Sequence, residues 1–229
     1  PTYDEYWQKM TPQKEEFAKI NIPILTITGY YDDDQLGAMY YYKEYLKWNK
    51  QDNNYLLIGP YDHFGAQGFP LAALNDYKID EVANIPIKDI VFDWFNYTLK
   101  DGKKPEILKD KVNFQLMGAN SWKHVPSLEK MYDRKLVLYI NNDNKNGEYH
   151  LKNEKNKSVI KQTVDFKIRN DMPKYSKTSY CGFDLFQPEK LPEQPNMLVF
   201  ESEPLLEPLS ITGAPIANVE FSCNKKDVD

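Results

Sequence analysis

The chain changes its hydrophobic period roughly halfway along. Before about residue 105, short continuous apolar runs alternate with stretches whose apolar residues recur every three or four positions, which predicts buried parallel strands with helices between them. "IPILTITG" predicts a strand over 24–28 and "YLLIG" a second, with a helix over 36–48 between them. Thr11 and Pro12 read as the N-cap and first position of a short helix whose first turn holds Glu15 and Glu16. The clearest helix is "PIKDIVFDWFNYTLKDG". Pro86 starts it, Ile87, Ile90, Val91, Trp94, Phe95 and Leu99 form its apolar stripe, and Gly102 ends it.

After "KDGKKPEILKDK" the period falls to two. Val112, Phe114 and Leu116 alternate with polar residues, as do Val164, Phe166 and Ile168, while "KLVLYI", "MLVFES" and "LSITG" are further strand-like runs. Short strands parted by turn-rich pieces such as "NNDNKNG" predict an antiparallel sandwich, with "NNDNKNGEYHLKNEKNK" as a solvated hairpin region. The expectation is therefore an α/β part over 1–107 and an all-β part over 108–229.

Composition narrows the partners. A net charge of -5 and a pI near 5.4, with no basic block, argue against nucleic acid. The apolar runs are strand-sized, far short of the roughly 20 residues a membrane helix needs. Cys181 and Cys223 permit one disulfide at most and lack metal spacing. The chain begins at Pro1 without a Met and stops just after the alternation Val219, Phe221, Cys223, so a fragment of a longer protein is expected.

Two strand-to-loop transitions echo each other. The first strand runs into "GYYDDDQLG" and the second into "GPYDHFG". Consecutive parallel strands deliver their loops to the same carboxyl-end edge of a sheet, so Asp32 and His63 are expected to meet there. A carboxylate facing a histidine is the orienting half of an acid–His–nucleophile triad. The plainer alternatives are an acidic turn capping the following helix and an ordinary loop histidine. A calcium loop fits poorly, because Leu36 and Lys43 fall where oxygen ligands belong. His124 and His150 sit beside no comparable pattern.

"PTYDEYW", "IPILTITGYYDDDQLGA", "LLIGPYDHFG", "FDWFNYTLKDG", "VNFQLMGANSWK" and "FESEPLLEPLSITGAP" occur in the order found in the X-prolyl dipeptidyl-peptidase, cocaine esterase and α-amino acid ester hydrolase superfamily, which the chain resembles over nearly its whole length. The amino-terminal pieces look most like the branch of α-amino acid ester hydrolases and glutaryl-7-aminocephalosporanic acid acylases. The resemblance implies the carboxyl part of an α/β-hydrolase domain followed by a jelly-roll-like β-sandwich domain, here truncated. It places the catalytic acid on Asp32 and the catalytic histidine on His63, with Asp33 and Asp34 left as turn and helix-start residues. The Trp usual in both aromatic-Asp motifs is Tyr31 and Tyr61 here.

The family nucleophile is a Ser in a Gly-x-Ser-x-x-Gly turn, and no Ser in this sequence has Gly two places before it. Its turn would also lend a backbone N–H to the oxyanion hole, so the resemblance puts attack and charge stabilisation upstream. The implied activity is acyl transfer from a small-molecule ester or amide to water through a Ser-His-Asp triad, without a metal or organic cofactor, and this chain alone is expected to be inactive. X-prolyl dipeptidyl-peptidase activity, and a carbohydrate- or protein-binding sandwich, are the competing readings. The resemblance favours a periplasmic or exported protein and leaves room for a homo-oligomer.

Overall fold

A computed structural model describes residues 4–74, 77–145, 147–165, 167 and 196–225. Its helices are α1 (Glu5–Lys9), α2 (Gln35–Trp48), α3 (His63–Ala66) and α4 (Ile87–Leu99). Its strands are β1 (Ile24–Gly29), β2 (Asn54–Gly59), β3 (Ala73–Leu74), β4 (Tyr77–Lys78), β5 (Val112–Leu116), β6 (Ser121–Val125), β7 (Tyr139–Lys145), β8 (Glu148–Lys152) and β9 (Val199–Ser202). They form a four-stranded sheet ordered β1-β2-β5-β6, a β3-β4 ribbon and a three-stranded β7-β8-β9 sheet. The content is mixed α/β, and none of these sheets closes into a barrel. No helix among the described residues is long and apolar enough to cross a membrane.

The first sheet explains the unbroken apolar runs. β1 and β2 pair in parallel from Ile24↔Asn54 to Gly29↔Gly59. Successive side chains point to opposite faces. Leu57 therefore packs against Ile90 and Trp94 of α4, with Leu25, Ile27, Tyr55 and Leu108 around them. Leu56 and Ile58 turn the other way, onto Tyr42 of α2 and onto Val112 and Phe114. A strand with a helix on each face has no side left for water, so it has no need of alternation.

Several expectations change in detail. Val112–Leu116, expected to open the antiparallel part, pairs in parallel with β2 through Leu56↔Val112 and Ile58↔Phe114. It becomes antiparallel only toward β6. Both β5 and β6 lie beyond the 107/108 division yet belong to the sheet that holds β1 and β2. The short helix after Thr11 is a 3₁₀ helix, Lys14–Lys19, capped by Gln13, while Thr11 receives the Gln13 side-chain amide at 2.9 Å. In α4 the buried row is narrower than the expected stripe: Ile87, Ile90 and Trp94 are buried, whereas Phe95 and Leu99 are 52% and 74% exposed. The left-handed Asp101 (φ 53°) turns the chain out of α4, and Gly102 donates its N–H to the Asn96 carbonyl.

The carboxyl half is β-rich. The expected solvated hairpin is there as β7 and β8, but "NNDNK" lies within β7 and not in its turn. β9 adds to β8 in parallel. "LSITG" and the run around Val219 and Phe221 form no ladder, and among the described residues this half builds one sheet instead of two facing ones. Cys223 is exposed and unbridged. Phe166, Ile168 and Cys181 lie outside the described residues.

Several contacts hold the loops above the first sheet. Tyr30 and Tyr31 donate their backbone N–H groups to the carbonyls of Gly59 and Tyr61, at 2.9 and 3.1 Å, so the β1–β2 pairing continues past the strand ends. A Cβ on Gly29 would stand 1.9 Å from the Tyr61 carbonyl oxygen, which leaves room for no side chain. The Tyr61 ring lies under Gly59, and its hydroxyl donates to the Ala83 carbonyl at 2.7 Å. Farther out, one oxygen of Asp80 accepts from Gln115 Nε2 and from the N–H groups of Gly118 and Asn120 at 2.7, 2.8 and 3.2 Å. Tyr30 ties its own hydroxyl to the Gln115 carbonyl at 2.8 Å.

Two outcomes test this packing. Trp94→Ala removes a buried ring set edge-on to Tyr55 at 5.4 Å, and urea unfolding should show a loss of about 3–5 kcal/mol. Gly29→Ala forces backbone apart from backbone, so it should cost at least the roughly 1–3 kcal/mol of an overpacked core. An amide spectrum of Gly29→Ala should change most around 30–32 and 59–63, and a spectrum that changed elsewhere only would contradict the close approach.

Candidate functional site

The two acidic and histidine-bearing loops meet at the carboxyl ends of β1 and β2. His63 Nδ1 lies 3.1 Å from Asp32 Oδ1. The Asp32 side chain is 7% exposed and that of His63 23%. Both sequence-predicted residues are thus brought together at hydrogen-bond distance, 31 positions apart in the chain.

Each partner is fixed from beneath. Thr28, completely buried at the end of β1, donates its hydroxyl to Asp32 Oδ2 at 3.1 Å. The N–H of Asp34 donates to Asp32 Oδ1 at 3.0 Å, a local Asx-type turn. His63 opens α3, whose N-cap is the buried Asp62, with Oδ1 accepting from Gly65 N–H at 2.6 Å. Gln35 pins the loop from its far side by donating to the Gly29 carbonyl at 2.7 Å.

Asp34 does not behave as an ordinary helix cap. It occupies the N-cap position of α2, yet its side chain makes no cap hydrogen bond. Its Oδ2 lies 3.4 Å from His63 Nδ1 instead, with the side chain 77% exposed. The hydrogen bond that His63 donates to the Asp32 carboxylate pulls the His63 pKa above its ordinary value of 6.5. Desolvation opposes the rise, and the charges of Asp32, Asp34 and Asp33 reinforce it. With Nδ1 engaged, Nε2 is the ring nitrogen left to exchange a proton.

The pair lines an open depression of about 420 Å³ whose walls include Ile27, Ala38 and Tyr41. Among the described residues, Asp32, Asp34 and His63 are the group of potential metal-ligating side chains whose atoms converge, within 4.8 Å of one another. Both Asp32 oxygens already accept N–H or O–H donors, and Nδ1 faces a carboxylate with which it can share a proton. The arrangement suits proton sharing better than ion coordination.

The other histidines take structural places. His124 Nδ1 meets the buried Asn113 Oδ1 at 2.8 Å across the β5–β6 ladder, and His150 Nδ1 is 3.7 Å from Glu203. Trp122 donates its indole N–H to the Val82 carbonyl at 2.6 Å and packs against the α4 side of the sheet. Of the aromatic pair beside the motif acids, Tyr61 is buried and Tyr31 packs with Leu74, Ile79 and Ala83. Sequence reading missed Thr28 and the orientation of Asp34. The Asp-x-Asp spacing is the signal that could have suggested the latter, because it permits a side chain to accept the N–H two residues on.

No family model matches the chain, and no curated protein matches it. Among solved structures it is similar to an aminopeptidase from a marine sediment archaeon, Thaumarchaeota archaeon, with a TM-score of 0.51 and 21% identity over 72% of this chain. The chain spans about a quarter of that protein's length, the matched part being 26% of it. At this identity the likeness is one of fold.

Proposed function

We propose that this chain supplies the acid and the histidine of a Ser-His-Asp acyl hydrolase of the α/β-hydrolase type, acting on ester or amide bonds. The observation that carries the reading is the 3.1 Å contact between His63 Nδ1 and a nearly buried Asp32 at the carboxyl end of parallel strands. The fold likeness to an aminopeptidase, itself a hydrolase by name, supports the class. The motif resemblance supports the finer assignment, including a jelly-roll-like domain beyond the catalytic one.

In this reading Asp32 holds the imidazole with its proton on Nδ1, and Nε2 takes the proton of a serine hydroxyl as that oxygen attacks the carbonyl carbon. The imidazolium then returns the proton to the leaving alcohol or amine. Water, deprotonated by the same nitrogen, releases the acyl group from the serine ester in the second half-reaction. The serine and one oxyanion-stabilising N–H would come from a Gly-x-Ser-x-x-Gly turn in a longer polypeptide of which this segment would be the carboxyl part.

The 229-residue chain alone should therefore hydrolyse neither p-nitrophenyl acetate nor amino acid esters and amides above a heat-treated control. In the longer polypeptide, His63→Ala should cost several orders of magnitude in kcat. Asp32→Asn should cost up to about 10⁴, because the amide favours the wrong tautomer. Normal turnover by a folded His63→Ala variant would end the assignment. Running ester and peptide-amide substrates in parallel separates an esterase from a peptidase.

The pH profile offers a separate check. A general base works only when neutral, so with the His63 pKa raised, the acidic limb of kcat/KM should have its midpoint above 6.5. The same pairing stabilises the folded chain fully below the unfolded value and is lost as pH rises through the folded one. Asp32→Asn should move both transitions to lower pH, as measured by initial rates and by unfolding midpoints across the pH range.

A further inference from the structure

We propose that Asp34 is a second carboxylate for His63, a positioning residue that flanks the imidazolium from the solvent side while Asp32 holds it from the protein side. The inference rests on the reading of Asp32 and His63 as a proton-sharing pair and extends it to a residue that the motif alignment left as a helix start.

Three observations converge on Asp34. Its side chain stands at the N-cap of a fourteen-residue helix, where a carboxylate would ordinarily accept a backbone N–H, and it accepts none. Its Oδ2 is directed to within 3.4 Å of His63 Nδ1, only 0.3 Å farther than the 3.1 Å of Asp32 Oδ1. Its N–H donates to that same Asp32 oxygen, so the position of one carboxylate is built into the placement of the other. One short loop thus delivers two acids to one nitrogen.

Their environments divide the work. Asp32 is nearly enclosed and accepts the Thr28 hydroxyl, so it can fix the direction of the Nδ1–H bond. Asp34 is largely in water, so what it adds is a charge that solvent and salt screen. When Nε2 gains a proton, the new positive charge lies between two carboxylates. The charged groups facing His63 are Asp32, Asp33 and Asp34 from the β1–α2 loop; Tyr41 of α2 lines the same depression, and Asp62 caps the histidine's own turn. No cation from these elements competes for the pair.

The chain itself suffices for the test, because the readout is the histidine and not turnover. Uniformly ¹⁵N-labelled protein is titrated while the ring nitrogens of His63 are followed by long-range ¹H–¹⁵N spectra. The amide spectrum of each variant serves as the check of fold. Asp34→Asn keeps the backbone N–H to Asp32 and removes only the charge. It should lower the His63 titration midpoint by a fraction of a pH unit, more than Asp33→Asn does, and leave the neutral ring protonated on Nδ1. The shift should shrink by about half between about 0.02 and 0.5 M salt, as the Debye length falls from roughly 20 Å to about 4 Å. Asp34→Glu should restore most of it.

Asp32→Asn should lower the midpoint further, in a salt-insensitive way, and move the neutral proton toward Nε2. If Asp32→Asn behaves so and Asp34→Asn shifts His63 no more than Asp33→Asn, the role of Asp34 is overturned while the paired reading stands. If neither Asp32→Asn nor Asp34→Asn moves the midpoint or the tautomer, the paired reading falls and the proposal with it.

Discussion

The contact on which the site depends is between two stretches of backbone: Gly29 lies so close to the carbonyl of Tyr61 that a side chain has no space between them. Parallel pairing brings the ends of β1 and β2 level, Gly29 opposite Gly59, and the hydrogen bonds of Tyr30 and Tyr31 carry the pairing two residues farther. The separation of Asp32 and His63 is therefore set by strand register and not by the chance wandering of two loops. That is why residues on different connections can hold a distance near 3 Å without a covalent link.

Burial then grades the chemistry. Going outward from the sheet, the fully buried Thr28 hydroxyl meets Asp32, Asp32 meets His63, and His63 faces both Asp34 and the open depression. Hydrogen bonds strengthen as solvent is excluded, so direction is imposed at the inner end, where the dielectric is low. Charge without direction is available at the outer end. A histidine between these two regimes has Nδ1 engaged by a carboxylate while its ring stays partly open to solvent.

Much of this was legible in the residues. The continuous run "YLLIG" could be a strand only if both faces were covered, and both are. The two strand-to-acid transitions carried the expectation that Asp32 and His63 meet. What the pattern could not say was the partner of each strand. Val112, Phe114 and Leu116 alternate as an antiparallel strand would, because the face bearing Asn113 and Gln115 is closed by side-chain hydrogen bonds to Leu56 and Asp80 and not by apolar packing. Polar "NNDNK" was read as turn material, yet it is a strand of an exposed sheet, where polarity costs nothing. Asp34 does stand at a helix start, but its side chain makes no cap bond there and lies 3.4 Å from a histidine far away in sequence, a proximity that position alone could not foretell.

The oxygen of Asp80 that gathers three N–H donors has a consequence for how sequences of this kind can diverge. It joins the segment before α4 to the turn after β5, and Gln115 links that junction to Tyr30 beside the acid-bearing loop. A change at 80 removes the shared acceptor of Gln115, Gly118 and Asn120 at one stroke, although Gln115 keeps the Leu116 carbonyl and Gly118 the Tyr77 hydroxyl. Gly118 and Asn120 donate through backbone N–H groups that any residue but proline carries, so the two side chains whose histories this oxygen ties together are those of 80 and 115, 35 residues apart in the chain.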